Sequence, residues 1–331
     1  MIISLSHNDL DGVGAQIALS KCYGNILPLN AAYSRVQEQL EIMEDMLHTR
    51  SNIREVYITD LNITEKEMRF VQDLANLHSH IEFNYIDHHD YTYDPTTYKT
   101  DNLKIMVSKK FCATKLTYLF LLKHKGLETD KELKHFIDVV DAYDLWQLKD
   151  PLFTEGLRMN ELFWDLLPRR FFLRFKDVTK VRLADNEKID TLFKKKDKVF
   201  KKLQESGRLF RAENKSLLLC YLDDYRSHIT IDFPDFLCYV NVTLYGSASI
   251  RLSNKITEPE AKIFKDLLID YAMTIPGVTT AGGHTHAMGM GSTLQGDNEA
   301  IVNLGRLLSV KADEIMEHTL RLYSGQGPIQ R

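Results

Sequence analysis

Apolar and polar positions change period repeatedly along the first half of the chain. Residues 2–6 read as a short buried strand, and from Val13 the spacing of Ala15, Ile17, Ala18, Leu19 and Cys22 becomes helical. Residues 34–47 predict a helix, with Ser34 and Gln37 at capping-box spacing and Val36, Leu40, Met43 and Leu47 in one stripe. A second strand is expected over 55–60. A helix capped by Thr64 and Glu67 follows to about His78, and a third strand alternates over 81–86. Strand, helix, strand, helix, strand predicts a mostly parallel sheet with helices on both faces. Residues 104–107 read as a further strand, 113–125 as an apolar core helix, and 129–132 as the cap of a helix that leads to Trp146.

The second half changes character. Residues 161–174 are apolar and basic, with Trp164, Phe171 and Phe172. Residues 186–206 predict a helix with Ile189, Phe193, Phe200 and Leu203 on one side. Its lysines (Lys194, Lys195, Lys196, Lys198, Lys201, Lys202) are expected to form a solvated face rather than a nucleic-acid patch. Strand-like runs follow at 216–222, 229–233, 236–244 and 248–252, then a helix capped by Thr257, a glycine-rich stretch at 281–291 and a last helix after Asp297. The expected class is α/β, in three parts: a larger domain over 1–180 built on the mostly parallel sheet, a linker helix over 181–210, and a smaller C-terminal α/β domain over 211–331.

Composition narrows the function. A chain of 331 residues with 44% hydrophobic and 27% charged positions suits a soluble two-domain protein. No apolar run is long enough to span a bilayer, and Met1-Ile2-Ile3-Ser4-Leu5 lacks the basic start of a signal peptide. Cys22, Cys112, Cys220 and Cys238 are dispersed, which argues against a thiolate zinc site and fits a reducing cytoplasm. A net charge of -4 offers no global attraction to nucleic acid, so phosphate binding must be local or pass through metals.

The chemistry gathers at strand ends. His7, Asp9 and Asp11 follow the first strand, and alternation would point all three the same way. Asp60 ends the second strand, and Asp87-His88-His89 end the third. In a parallel sheet the carboxyl ends share one rim, where ligands bind. Imidazoles and carboxylates crowded there call for a cation among them. Asp138, Asp141 and Asp144 recur every third residue on one helix. Asp141 lies among apolar neighbours, which favours an inward carboxylate with a partner.

These motifs, in this order, resemble the DHH phosphoesterases of the DHH–DHHA1 subset, which includes oligoribonucleases and nucleotide phosphodiesterases. The match runs through His7-x-Asp9-x-Asp11-Gly12, Asp60, Asp87-His88-His89, an Asp near 141 and Gly282-Gly283-His284, and covers nearly the whole chain. The resemblance implies two divalent ions, most often Mn²⁺. One would be held by His7, Asp9 and Asp60. The other would be held by Asp11, Asp60, His88 and Asp141, with Asp144 as the substitute for Asp141. Asp60 would bridge, His89 would contact the scissile phosphate, and Asp87 would orient a ligand histidine. In the second domain, Arg251, Gly282, Gly283 and His284 would bind substrate, the glycines as a loop whose N–H groups approach an anion. His286 is not assigned a role.

The implied activity is hydrolysis of short oligoribonucleotides or dinucleotides to mononucleotides by a two-metal-activated hydroxide, in a cleft between the domains. Cyclic nucleotides, cyclic dinucleotides and phosphoadenosine phosphate are alternative substrates. A RecJ-like exonuclease is disfavoured by the acidic charge, and the tight His-x-Asp-x-Asp spacing argues against a pyrophosphatase. A silent nucleotide sensor is the alternative outside enzymes. The expected partner is short RNA or a dinucleotide with no membrane, and a homodimer is among the assemblies left open.

Overall fold

The computed structural model of the chain describes residues 1–128, 130–147, 149–205, 209–211, 217–222, 237–243, 245–253 and 255–323. It divides into two compact units, Met1–Asp190 and Thr191–Arg331.

The first unit contains β1 (Ile2–His7), α1 (Leu10–Tyr23), β2 (Ile26–Ala31), α2 (Val36–Thr49), β3 (Glu55–Thr59), α3 (Glu65–Leu77), β4 (Glu82–Asp87), β5 (Leu103–Val107), α4 (Ala113–His124), α5 (Lys131–Asp144) and α6 (Phe153–Phe175). Helix α7 (Leu183–Glu205) begins in it. The five strands lie in the order β2-β1-β3-β4-β5, and every pairing is parallel. That arrangement is the doubly wound sheet that the alternating periods predict. Strands β1, β3 and β4 are buried along almost their whole length, as central strands covered on both faces must be. The α2 stripe of Val36, Leu40, Met43 and Leu47 packs with Met68, Val71 and Leu74 of α3 and with Ile3, Leu5, Val56, Ile58 and Phe83 of the sheet. Helix α1 is buried from Leu10 to Ser20, so it is a core helix rather than a surface one.

Several local expectations change. Strand β2 escapes the alternation rule because Pro28 and Asn30 interrupt its pattern. The Ser34–Gln37 capping box does not form. Tyr33–Arg35 make a 3₁₀ turn, and α2 starts at Val36 without a side-chain cap. The Thr64–Glu67 capping box does form. Helix α5 is capped by Asp130, which accepts from the Glu132 N–H at 2.9 Å, and Thr129 lies outside the described residues. The helix expected over 186–206 starts earlier, at Leu183, and Ser206 lies outside the described residues. Within α7, Lys194, Lys195, Lys198 and Lys201 are exposed, whereas Lys196 is buried over the Phe193 ring.

The second unit contains β6 (Leu209–Arg211), β7 (Leu217–Leu222), β8 (Cys238–Thr243), β9 (Ala248–Leu252), α8 (Glu258–Ala272), β10 (Val278–His284), β11 (Ala287–Ser292) and α9 (Asn298–Tyr323). Its sheet runs β10-β11-β9-β8-β7-β6, with only the β7–β8 pairing parallel. Val240, Val242, Ile250 and Met288 of the strands bury against Phe264, Leu268, Leu304 and Leu308 of α8 and α9. Thr257 and Glu260 form the capping box of α8. The run expected at 229–233 lies outside the described residues. The glycine-rich stretch is a hairpin, not a loop. Gly282 and Gly283 sit inside β10 and pair with Gly289 and Met288 of β11. No described helix is long and apolar enough to cross a membrane.

Candidate metal centre

The strand order 2-1-3-4-5 reverses direction between β1 and β3, and in such sheets ligands bind at the carboxyl edge of that switch point. The carboxyl ends of β1, β3 and β4 deliver His7, Asp60 and Asp87-His88-His89 to this edge. Asp9 and Asp11 arrive differently from the alternation expectation. Only His7 is in the strand; Asp9 is the N-cap of α1, accepting from the Gly12 N–H at 2.9 Å, and Asp11 lies in the helix's first turn. The turn is tight because position 12 is glycine. A Cβ there would stand 2.3 Å from the His7 carbonyl oxygen. Gly14, two residues on, serves packing. It lets α1 approach α4, where a Cβ would meet Thr114 Oγ1 at 2.3 Å.

Among the described residues three groups of ligand-type atoms result, the triads His7–Asp9–Asp60 and Asp11–His88–Asp144 and the group Asp60–Asp87–His88–His89. His7 Nδ1 lies 2.8 Å from Asp9 Oδ2 and 3.8 Å from Asp60 Oδ2. His88 Nε2 lies 3.3 Å from Asp60 Oδ1, 3.5 Å from Asp11 Oδ2 and 3.6 Å from Asp144 Oδ2. Within each of the triads His7–Asp9–Asp60 and Asp11–His88–Asp144 the candidate atoms fall inside 4.8 Å, close enough to hold a metal ion. Asp60 turns one carboxylate oxygen to each histidine.

The structure does not bring Asp141 into this cluster. Its Oδ1 accepts from the Cys112 N–H at 2.9 Å and its Oδ2 takes the Lys115 ammonium at 2.8 Å. Asp144, one helical repeat on, faces His88 instead, and Asp138 pairs with Lys115 and Lys134. The period of three set by α5 therefore distributes three carboxylates to three tasks. Asp11 and Asp141 together hold the N-terminus of α4, where Asp11 also accepts from the N–H groups of Ala113 and Thr114 at 2.8 and 2.7 Å. This division separates the two aspartates. Asp141→Asn is expected to cost about 1–3 kcal/mol of stability by weakening a buried acceptor, with metal affinity unchanged. Asp144→Asn is expected to weaken metal binding by about 10-fold or more. Calorimetric Mn²⁺ titration with parallel thermal melts checks both, and loss of affinity in the Asp141 variant alone would reverse the assignment.

Electrostatics mark the cluster as short of positive charge. Burial, followed by the charges of Asp9, Asp11, Asp144 and Asp87, pushes the Asp60 carboxyl well above the usual range. Burial and the charges of Asp11 and Asp9 do the same to Asp144. Asp9 goes the other way. Burial works to raise it, but the His7 charge and hydrogen bonds from His7 and Gly12 hold it below the ordinary value. Burial lowers His88 and keeps it neutral, the form that binds metals. Asp60 Oδ2 is buried and meets no hydrogen-bond partner among the described residues. Its residue also adopts φ 57°, a left-handed backbone that costs about 1–2 kcal/mol outside glycine. A divalent cation answers both the missing counter-charge and the unfilled acceptor, and an oxygen-rich set with imidazole fits one.

Asp87 contacts His89, and both lie with Asp60 and His88 in the third group of candidate ligands. Its Oδ1 lies 2.9 Å from His89 Nδ1, and its Oδ2 accepts from the Tyr91 hydroxyl. Burial tends to lower His89, but the Asp87 charge holds it above its ordinary value. Tyr33 is the residue that sequence reasoning missed. Its hydroxyl sits 3.1 Å from His89 Nε2 and its ring centroid 4.4 Å from that of His7. Reading β2 as a strand would have put residues 32–35 on the same rim.

In the second unit Arg251 lies on β9. It donates to the carbonyls of Ile250 and Met288 at 3.1 and 3.3 Å and lines a hollow of about 680 Å³ with Tyr245, Ser249, Gly289 and Gln295. Gly282 has open space where a Cβ would stand, whereas Gly283, at φ +127°, would drive one to 2.4 Å from the Ala287 carbonyl oxygen. The His284 backbone ends β10, and its side chain lies outside the described residues. His286 contacts the Ile256 carbonyl at 3.1 Å and Glu258 at 3.4 Å, a local role within the unit.

No family model matches the chain. A stretch of 164 residues is 28% identical to a 3′,5′-cyclic-nucleotide phosphodiesterase of Helicobacter pylori, covering 47% of this chain and 46% of that protein. A stretch of 167 residues is 25% identical to the oligoribonuclease NrnB of Bacillus subtilis, covering 48% and 40%. The match thus spans less than half the length of either curated relative. Among solved structures, the DHH domain of a protein assigned to a family of ribosomal proteins aligns with a TM-score of 0.61 at 16% identity, over 94% of this chain and 86% of that one. The pGpG-specific phosphodiesterase PggH of Vibrio cholerae aligns with a TM-score of 0.53 at 13% identity, over 95% and 99%. At such identities the likeness shows the fold, which is that of a DHH-domain protein.

Proposed function

From the premise that the chain is a phosphoesterase of the DHH–DHHA1 type, with whose fold and relatives it agrees, we propose a divalent-metal-dependent phosphodiesterase that cleaves short oligoribonucleotides or dinucleotides to mononucleotides. The observation that carries this reading is the shared position of Asp60, one oxygen toward His7 and the other toward His88. His7, Asp9 and Asp60 would hold one ion, and Asp11, Asp60, His88 and Asp144 a second, with Mn²⁺ the best match to such a donor set. When bound, such a pair supplies an activated water and positive charge for the phosphoryl oxygens. The remaining work belongs to the chain itself. Asp60 and the buried ends of β1 and β4 fix the ligands on rigid elements, so little reorganisation is needed on binding. His89, fixed through Nδ1 by Asp87, contacts the scissile phosphate. On the second unit Arg251, Gly282, Gly283 and His284 bind substrate, the Arg251 guanidinium taking a phosphate.

The test is a side-by-side assay with Mn²⁺ on dinucleotides, short and long oligoribonucleotides, 3′,5′-cyclic nucleotides, cyclic dinucleotides, phosphoadenosine phosphate and pyrophosphate. Dinucleotides and short oligomers are expected to turn over fastest. A protein that binds Mn²⁺ and a dinucleotide yet leaves it intact is a sensor, and the enzymatic reading falls. Preference for a 3′,5′-cyclic nucleotide is the second reading, favoured by the name of the Helicobacter pylori relative. Arg251→Ala is expected to raise KM for a dinucleotide about 10- to 100-fold, the worth of one charge-assisted hydrogen bond, with Mn²⁺ affinity unchanged. An unaltered KM would remove Arg251 from the substrate site.

A further inference from the structure

We propose that Tyr33 is a positioning residue of this centre, its hydroxyl fixing Nε2 of His89 and its ring fixing the plane of His7. The proposal rests on the phosphodiesterase reading and adds a residue to it. Tyr33 opens the 3₁₀ turn after β2, the edge strand beside β1, so the turn stands on the rim where His7 emerges. Its hydroxyl is 3.1 Å from His89 Nε2, and the two rings meet edge-on at 88° with centroids 6.1 Å apart. Against His7 the ring tilts by 31° at 4.4 Å.

Packing against the core does not explain this placement. No residue of the 3₁₀ turn is buried, and Tyr33 itself is 44% exposed. What its side chain meets is the pair of imidazoles. Both nitrogens of His89 are therefore engaged, Nδ1 by Asp87 at 2.9 Å and Nε2 by Tyr33. A ring held at one nitrogen can still rock about that hydrogen bond. Held at both, it has one orientation, which is what a phosphate contact in a reacting geometry requires.

The experiment uses the full chain with Tyr33→Phe and Tyr33→Ala. It reads kcat and KM on a dinucleotide with Mn²⁺, Mn²⁺ affinity by calorimetry, and the ¹⁵N resonances of His89 in the metal-free protein, assigned by their loss in His89→Asn. Tyr33→Phe is expected to lower kcat about 10-fold, to leave KM and Mn²⁺ affinity unchanged, and to shift the Nε2 resonance. Tyr33→Ala is expected to add a loss of about 10-fold in Mn²⁺ affinity as His7 is freed. Wild-type kcat and an unshifted Nε2 resonance in Tyr33→Phe overturn the proposal. A wild-type protein that hydrolyses none of the phosphodiesters overturns the functional reading instead, and the resonance and Mn²⁺ affinity then decide on Tyr33 alone.

Discussion

Asp60→Asn is expected to raise the melting temperature of the metal-free protein and to remove its metal-dependent turnover. The two effects have one cause. Asp60 is 2% exposed and faces Asp9, Asp11, Asp144 and Asp87, so without a cation its charge works against the fold. Asparagine keeps the shape and tolerates the φ of 57°, so the substitution removes the charge and little else. Each kcal/mol gained appears as about 2–4 °C in Tm for a unit of this size. In the proposed two-ion site Asp60, a member of the His7 triad that also turns an oxygen to His88, would serve both ions, and its loss should cost about 10³-fold or more in kcat, at least the worth of one preorganised electrostatic group. Asp60→Ala should lose turnover equally but gain less stability, because alanine is disfavoured in the left-handed region. Scanning calorimetry with chelator and assays with Mn²⁺ separate the arms. Near-normal turnover in Asp60→Asn would contradict the shared-ligand role.

Above about pH 6.5 the metal-free protein is expected to lose stability as pH rises, and Mn²⁺ is expected to reverse that slope. Asp60 and Asp144 are raised in the folded chain, so the unfolded chain gives up their protons first, from about pH 3.9 upward. The stability they contribute is complete below that value and is lost as pH rises toward their folded values. His88 opposes this below about pH 6.5, because its folded value is lowered and the unfolded imidazole protonates first. Asp9 and Asp87 are also lowered, and they change the balance only as pH falls below the ordinary carboxylate value. Above about pH 6.5 these opposing groups have finished titrating. His89, raised by Asp87, then adds its own loss. Bound metal inverts the trend because its ligands must be deprotonated, so affinity climbs with pH. At a metal concentration 100 times Kd the gain is about 2.7 kcal/mol, or about 5–10 °C. Melts across the neutral range, with chelator and with Mn²⁺, should slope in opposite directions. Parallel slopes would mean that the cluster binds no cation.

Much of the centre was legible because its residues follow strands whose periods are plain. His7, Asp60, Asp87 and His88 each end a run that only a buried strand explains, and parallel strands put their ends on one edge. Asp9 and Asp11 were placed at the right edge for the wrong local reason. The chain becomes helical at Leu10, and a cap and a first turn replace the extended segment. Tyr33 was hidden because β2 carries no clean alternation. The choice between Asp141 and Asp144 was open because both occupy the same repeat of three on α5, and a one-dimensional pattern cannot say which carboxylate a neighbouring helix claims.

Periodicity and residue chemistry are local properties, and they suffice for the doubly wound first unit, the rim on which chemistry gathers and the donor types that call for a cation. Contacts between distant elements give Asp141 to the N-terminus of α4 and leave Asp144 facing His88. The same contacts place Gly282 and Gly283 in a strand and bring Tyr33, in the turn after the edge strand, against two imidazoles. Those outcomes depend on which N–H groups, ring faces and carboxylates meet across elements distant in the chain, and no spacing along the chain encodes them.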